Sequence, residues 1–334
     1  MSRRLPLVVA VVLAASVSFL AACSSTAPDG AAAAANAQTR TFEHAYGTTE
    51  NVPAHPERVV TIGLREVENA VALGVTPVGY LDWFGNGLNP WTAEASDGSD
   101  PVAINDADWN LQYEKILSLK PDLIYANDGM TREQYERLSE IAPTVGPIDA
   151  VGKAAAGDSF VAWDTALERT GTILGREDRA GRVVDRVANE IADVPSEHPE
   201  FAGKSAAMAW APNADGTWLA TSADPRFQLV RDIGLKPNAA VAKHDAAGAE
   251  GQVQVSLEEL DQLEADVLFL YSYQQSERDA AMNYSTFTRL GVVKDEHVVW
   301  MPTDIADALS FGTAISIEHV LSKLPALIAE KLAR

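Results

Sequence analysis

Aromatic and arginine side chains collect in the segments that follow the predicted strands of this chain. In the first half of the sequence these segments carry Arg65, Trp83, Phe84, Trp91 and Trp109. In the second half they carry Trp210, Trp218, Arg226, Tyr271 and Tyr273. Loops at the carboxyl ends of parallel strands usually form the cleft of an α/β protein, so we expect these residues to bind a ligand.

The chemistry of these side chains favours a large ligand that is partly apolar and rich in oxygen atoms. Aromatic rings offer wide contact surfaces at low entropic cost, and their faces attract cations. Arginine donates paired hydrogen bonds to anionic oxygens. Tyr125, Phe269 and Trp300 belong to predicted strands instead, and we expect them in the core.

The charge of the chain limits the classes of partner. Its 47 acidic and 26 basic residues give a formal net charge of −21. Such a chain is repelled by nucleic acid and by anionic lipid surfaces, so we predict neither as a partner. The acidity favours a neutral or cationic ligand, although it also serves simply to keep an exposed protein soluble.

The motifs of common enzyme classes are missing from the sequence. It contains no phosphate-binding glycine loop with lysine, no nucleophile elbow and no paired-histidine zinc helix. The Gly85-Asn86-Gly87 segment lacks the third glycine of a dinucleotide fingerprint. We therefore predict a binding protein without a cofactor rather than an enzyme, with a hydrolase that uses carboxylates alone as a remote alternative.

The histidines do not form a metal-binding pattern. A zinc site needs several histidines that converge on one cleft. Those of this chain are dispersed along it: His44, His55, His198, His244, His297 and His319. We predict no metal site. His244, which lies between Lys236 and Gln254, is the histidine expected to be within reach of a ligand, and haem binding through either His244 or a loop tyrosine stays an alternative.

One segment of the chain repeats at an offset of 144 residues, from Glu114 to Glu258. The two copies are YEKILSLKPDLIY at 113–125 and LEELDQLEADVLF at 257–269. Each copy reads as a short amphipathic helix, a turn and an apolar strand, and Asp122 matches Asp266. A second pair, LGVTP at 73–77 and IGLKP at 233–237, places a glycine after each helix. The repeat predicts two similar, Rossmann-like α/β lobes with a ligand between them.

The N-terminal segment predicts export. Arg3 and Arg4 precede an apolar run from Leu7 to Leu20, which has the length of a signal peptide. Cys23, the only cysteine, follows small residues in a pattern that resembles a bacterial lipobox, which implies cleavage before Cys23 and lipidation of its sulfur. We expect a lipid-anchored protein on the extracytoplasmic face of the cell membrane, and no disulfide.

The elements between these landmarks give the domain plan. A helical spine at 159–195 contains glycines that predict one or two breaks. Two irregular segments, 81–110 and 302–311, are expected to be loops, and a C-terminal helix is expected from Gly312. The predicted divisions are a signal peptide at 1–22, a flexible tether at 23–40, an N-terminal α/β lobe at 41–158, the spine at 159–195 and a C-terminal α/β lobe at 196–334.

The order of several motifs resembles one family, the iron–siderophore and vitamin B12 substrate-binding lipoproteins of ABC importers. The motifs are PERVV at 56–60, LGVTPVG at 73–79, KILSLKPDLI at 115–124, ADPR at 223–226 and VSLEEL at 255–260. This resemblance covers residues 50–330. It implies a class III periplasmic binding protein, in which two α/β lobes are joined by a long rigid helix.

The same resemblance implies partners. The ligand would be a ferric siderophore, with iron present only as part of the bound chelate, and haem or vitamin B12 as alternatives. Glu114 and Glu258 match the glutamates that dock such proteins on the permease dimer, and the protein is expected to act as a monomer. Few basic residues stand in the candidate loops, so a hydroxamate chelate fits better than a triply anionic catecholate.

Overall fold

The computed structural model describes residues 38–127, 129–147 and 161–333. The signal peptide and Cys23 lie outside these residues, so the lipid anchor stays a prediction. The strands are β1 Thr39–His44, β2 Gly47–Pro53, β3 Val59–Thr61, β4 Gly79–Tyr80, β5 Val102–Ala103, β6 Leu123–Tyr125, β7 Thr144–Val145, β8 Ser205–Trp210, β9 Thr217–Ala220, β10 Lys236–Pro237, β11 Gln252–Val255, β12 Val267–Tyr271 and β13 Val298–Trp300.

Helices and strands alternate from β3 to β7, whereas several helices follow one another later in the chain. The helices are α1 Glu66–Ala72, α2 Pro90–Ala95, α3 Tyr113–Ser118, α4 Arg132–Ser139, α5 Trp163–Leu174, α6 Glu177–Glu197, α7 Pro225–Asp232, α8 Ala239–Ala246, α9 Gln275–Ala281, α10 Ser285–Thr288, α11 Gly291–Lys294, α12 Thr303–Phe311, α13 Ala314–Leu321 and α14 Leu324–Leu332. Two 3₁₀ helices span Pro199–Phe201 and Leu257–Leu263. Within the described ranges, no helix combines the length and apolar character needed to cross a bilayer.

The first sheet is parallel throughout, with the strand order β5-β4-β3-β6-β7. Its central strands β3 and β6 are wholly buried. Helices cover both faces of such a sheet, and short apolar runs such as Val59-Val60-Thr61 are typical of strands in this position.

The second sheet has the order β11-β9-β8-β12-β13, with β10 beside the start of β8. Strands β8, β10, β12 and β13 are parallel, whereas β9 and β11 run antiparallel to their neighbours. The predicted architecture of two α/β lobes is thus confirmed.

The sequence repeat has a structural purpose in both sheets. The Asp122 carboxylate, just before β6, accepts hydrogen bonds from the backbone N–H groups of Glu57 and Arg58, at 2.8 and 2.9 Å. The Asp266 carboxylate, just before β12, accepts hydrogen bonds from the backbone N–H and hydroxyl of Ser205, at 2.8 and 2.7 Å. Each aspartate therefore fixes the neighbouring central strand, β3 or β8, at its start.

The predicted spine consists of two helices, α5 and α6. It breaks at Gly175, whose φ of +65° is left-handed and whose Cβ, if present, would lie 2.2 Å from the Ala54 carbonyl oxygen. Only glycine fits there. A Cβ on Gly171 would lie 2.6 Å from that of Ala180, so the two helices pack closely on each other. The glycines of this segment predict one or two breaks in the helix. The described part of the segment contains one break, at Gly175.

Two expected loops contain regular structure. The 81–110 segment holds α2 and β5, and the 302–311 segment is almost entirely helix α12. Both helices begin at a proline, since Pro90 occupies the first turn of α2 and Pro302 is the N-cap residue of α12. Proline is tolerated at both places, since the first helical N–H groups have no partner within the helix.

The C-terminal part of the chain crosses back to the first sheet. Helix α13 follows the last strand of the second sheet, yet it packs against α1, α2, α5 and α6. The antiparallel hairpin β1–β2, which the sequence did not predict, packs against β7. Elements from both ends of the chain therefore complete the first lobe.

Candidate functional site

Exposed aromatic side chains mark one edge of each sheet. Eight large hydrophobic side chains are exposed among the described residues, and five of these are aromatic residues predicted to bind a ligand. They are Trp83, Phe84, Trp109, Trp218 and Tyr273. These rings lie in or near the segments at the ends of the strands, where α/β proteins usually bind their ligands, so this edge is the candidate site.

The first-sheet half of the site is held by hydrogen bonds to the backbone. The nearly buried Asp82, directly after β4, accepts hydrogen bonds from the backbone N–H groups of Gly85 and Gly87, both at 2.9 Å. The Trp109 indole donates a 2.6 Å hydrogen bond to the Trp83 carbonyl oxygen. Trp109 has a φ of +59°, which is uncommon for a bulky residue and indicates that its position is imposed by the loop.

An open hollow of about 300 Å³, which includes adjoining solvent, lies beside these aromatic residues, and its wall consists of first-lobe residues together with Phe311. Phe84, from the loop after β4, and Phe311, at the end of α12, have ring centroids 5.8 Å apart. Leu64, Tyr80 and Asp82 are among the other lining residues. The hollow therefore lies between the loops of the first sheet and the end of α12.

The second-sheet half is built around Arg226. Its guanidinium forms a bidentate ion pair with Asp224, with Nε–Oδ1 at 2.8 Å and Nη2–Oδ2 at 2.5 Å. The same group lies 5.4 Å from the Trp210 ring centroid and 5.3 Å from that of Tyr271. Those two rings meet edge to face at 4.4 Å. Trp218 and Gln252 complete the wall of a second, smaller hollow of about 160 Å³.

In the Asp224–Arg226 ion pair both side chains are charged, and their opposite charges cancel. Burial lowers the pKa of Arg226, but the hydrogen bonds and negative charge of Asp224 outweigh it and raise that pKa above its usual value. Burial also raises the pKa of the Tyr271 hydroxyl well above its usual value. Both tyrosines of this edge are neutral at physiological pH, since partial burial and the nearby Asp307 raise the pKa of Tyr273 to about 12.

Helix α12 connects the two halves. Asp307, in its second turn, interacts with the Tyr273 hydroxyl. Phe311 lies four residues further along the same helix and contacts Phe84. Residues four apart share one helix face, so one side of α12 touches aromatic residues of both halves.

Two residues expected at the site are buried instead. Trp91 lies in helix α2, not in a loop, and its ring packs edge to face on Phe311, with centroids 6.1 Å apart. Arg65 is 5% exposed and donates a 2.9 Å hydrogen bond to the Val161 carbonyl oxygen. Both side chains are occupied within the protein, so the structure gives them packing roles.

His244 does not lie at the site either. It belongs to α8, and its Nε2 is 2.7 Å from the Gln262 side-chain oxygen. Gln262 stands just before the start of β12, whereas the site lies at the end of that strand, beyond Tyr271. Within the described ranges, no group of three or more histidine, cysteine, aspartate or glutamate side chains has the arrangement of a metal site.

Glu114 and Glu258 are both exposed and both occupy the second position of a short helix. Helix α3 begins soon after β5, and the 3₁₀ helix with Glu258 begins directly after β11. Both helices start at the edge of the sheets that carries the exposed aromatic residues. Ser256 and Glu259 stand where a capping box would be expected, but the Ser256 hydroxyl contacts the Glu259 carboxylate at 3.0 Å and makes no bond to the helix backbone.

Three acidic residues at the site were missed by the sequence analysis. They are Asp82, Asp224 and the fully buried Glu68. Asp224 had a usable signal, since aspartate before proline at a helix start is a typical N-cap, and its carboxylate accepts a hydrogen bond from the Arg226 N–H at 3.0 Å. No local sequence signal marks Asp82 or Glu68, because hydrogen-bond partners of both residues come from distant segments.

Comparisons with known proteins agree with this geometry. The Periplasmic binding protein family model matches residues 59–304. The Probable siderophore-binding lipoprotein YfiY of Bacillus subtilis (strain 168) is 26% identical, over 77% of this chain and 76% of that protein. The Fe(3+)-citrate-binding protein YfmC of the same organism is 26% identical, over 80% of each chain.

A solved structure shows the same fold. The crystal structure of PiaA from Streptococcus pneumoniae TIGR4 in complex with ferrichrome superposes with a TM-score of 0.68. It is 25% identical and covers 88% of this chain and 98% of that chain. The predicted binding protein, rather than an enzyme, is confirmed by the family match. With its two α/β lobes and its edge of exposed aromatic residues, the chain belongs to the periplasmic binding protein family as a class III member.

Proposed function

We propose that this protein captures a ferric siderophore of the hydroxamate type between its two α/β lobes and delivers it to an ABC importer. The observation that carries the proposal is the exposed aromatic edge, to which Trp83, Phe84 and Trp109 contribute from one sheet and Trp218 and Tyr273 from the other. Wide rings on both sides suit a bulky chelate with an apolar periphery. The ligands named for YfiY, YfmC and PiaA support an iron chelate.

The charge balance of the site supports a hydroxamate. The Arg226 guanidinium is already paired with Asp224, and Arg65 is buried. A triply anionic catecholate complex would need several cations that are not already neutralised, because burying unpaired negative charge is costly. A ferric trihydroxamate has no net charge, so aromatic contacts and a few hydrogen bonds suffice to hold it.

Tryptophan fluorescence of the full-length chain in mild detergent tests the proposal. The chain is titrated in parallel with ferrichrome, a ferric triscatecholate, haem and cobalamin, and each iron chelate is matched with its iron-free form. We expect saturable quenching by ferrichrome and none by iron-free ferrichrome, because Trp83, Trp109 and Trp218 stand at the site. A preference for the catecholate would refute the hydroxamate assignment, and a response to haem or cobalamin alone would change the ligand class.

Delivery and anchoring complete the proposal. Cys23 would carry the lipid that holds the protein on the extracytoplasmic face of the membrane. Glu114 and Glu258, each in the first turn of a helix that follows an edge strand, would dock on cationic side chains of the permease. Exposed ion pairs contribute only about 0–1 kcal/mol each, so their role is orientation and association rate rather than affinity.

Reversing both charges is expected to uncouple transport from binding. We expect Glu114→Lys combined with Glu258→Lys to lower cellular uptake of the radioactive iron chelate about tenfold, because like charges would face each other during docking. Affinity for the free chelate should not change. Glu197→Lys is the control, since this exposed residue ends α6 near the start of β8, at the opposite edge. Equal loss of uptake in the control would contradict the docking roles.

A further inference from the structure

Glu68 is a buried acid that receives four hydrogen bonds. It is the third residue of α1 and is completely inaccessible to solvent. Its Oε1 accepts hydrogen bonds from the Trp91 indole and the Thr92 hydroxyl, both at 2.8 Å, and from the Asn89 amide at 3.2 Å. Its Oε2 accepts a 2.5 Å hydrogen bond from the Thr313 hydroxyl.

The four donors come from two different parts of the fold. Asn89, Trp91 and Thr92 belong to the start of α2, directly after the loop that carries Trp83 and Phe84. Thr313 is the N-cap residue of α13, which follows the last strand of the second sheet. One carboxyl group therefore joins the start of α2 to the start of α13, the helix that directly follows α12.

The two segments that Glu68 joins contact each other through the Phe311 ring. Phe311, two residues before Thr313, packs on Trp91 at 6.1 Å and on Phe84 at 5.8 Å. Asn89 and Thr92 line the hollow together with Phe84 and Phe311. A shift of Thr313 relative to α2 would separate these rings and move α12, whose Asp307 interacts with Tyr273.

We propose that Glu68 is a positioning residue for ligand binding, which sets the distance between the two aromatic halves of the site by holding Thr313 to α2. The inference rests on the proposed function for the identity of the ligand but not for the coupling itself. A carboxyl suits the task because its two oxygens accept hydrogen bonds from donors on two different sides. Burial raises the pKa of Glu68, and the four hydrogen bonds lower it in part.

The test separates this coupling from ordinary helix capping. Thr313→Val removes the hydroxyl that reaches Glu68, and with it the cap of α13. Ser316→Ala is the matched control, because it removes a side chain that accepts the Thr313 backbone N–H at 2.8 Å but leaves the bond to Glu68. Thr313→Ser retains the hydroxyl and is expected to behave as the parent chain.

Hydrogen–deuterium exchange of the full-length chains without ligand is the first measurement. Thr313→Val is expected to raise exchange both in α13 and in the 89–95 segment, whereas Ser316→Ala raises it in α13 alone. Titration with ferrichrome is the second measurement, with an expected loss of affinity of about tenfold for Thr313→Val. Ser316→Ala and Thr313→Ser should change that affinity less than about twofold.

Identical exchange patterns in Thr313→Val and Ser316→Ala would overturn the proposal. Should Thr313→Val not fold, Glu68→Gln provides the same test, since it keeps an acceptor for the α2 donors and replaces the acceptor of Thr313 by an amide. Unchanged exchange in both segments of that variant would also overturn the proposal. If the parent chain binds no chelate, the proposed function fails, while the exchange result still decides the role of Glu68.

Discussion

Replacing Arg226 with alanine is expected to lower the free energy of unfolding by about 3–5 kcal/mol. The Asp224 side chain is 3% exposed, and its carboxylate relies on the Arg226 guanidinium for charge balance. Removing the cation leaves a buried negative charge without compensation, which costs more than the net value of the pair. Urea unfolding of the full-length chain, followed by circular dichroism, measures the difference.

An exposed arginine provides the control for this prediction. Arg186 also forms a close ion pair, with Glu318 at 2.6 Å, but its side chain is 52% exposed. Arg186→Ala should therefore cost no more than about 1 kcal/mol. Equal losses for the two variants would mean that the Asp224–Arg226 pair is solvated, which would remove the charge argument against anionic chelates.

The second large effect distinguishes two tryptophans that look alike in the sequence. Trp91→Ala is expected to lower the free energy of unfolding by about 3–5 kcal/mol, because a nearly buried ring leaves a cavity. The same change removes the indole donor from Glu68. Trp109→Ala, in contrast, removes a ring that is 58% exposed and one exposed hydrogen bond, so it should lower the free energy of unfolding by only about 1 kcal/mol.

Ligand affinity should show the opposite order. Loss of the exposed Trp109 ring is expected to weaken binding of the ferric chelate about tenfold or more, as for aromatic anchors in other interfaces. Unfolding experiments and fluorescence titrations on the same two variants measure both quantities. A loss of affinity without loss of stability in Trp91→Ala would restore Trp91 to the list of direct ligand contacts.

Much of the architecture was accessible from the sequence because it depends on local patterns. The repeated segments at 113–125 and 257–269 place Asp122 and Asp266 before equivalent strands, and the structure shows both fixing a neighbouring strand. Apolar runs identified the central strands, since a strand buried on both faces must be apolar at every position. These signals extend over only a few residues and need no knowledge of the rest of the fold.

The candidate site could be predicted only in part. Trp83 and Trp109 follow strands of the first sheet and are exposed, as their positions suggest. Trp91 follows the same strand as Trp83 but is buried, because α13 returns from the end of the chain to cover it. His244 is close in sequence to second-sheet loops, yet its helix lies beside the wrong end of β12.

The sequence by itself determined the two α/β lobes and the types of side chain that gather at the ends of their strands. Tertiary structure alone decided which of those side chains remain open to a ligand and which are enclosed. It also brought Thr313 to Glu68 across 245 residues of chain. The physical reason is that periodicity and turn chemistry act between near neighbours, whereas burial and charge pairing depend on segments that meet only when the chain has folded.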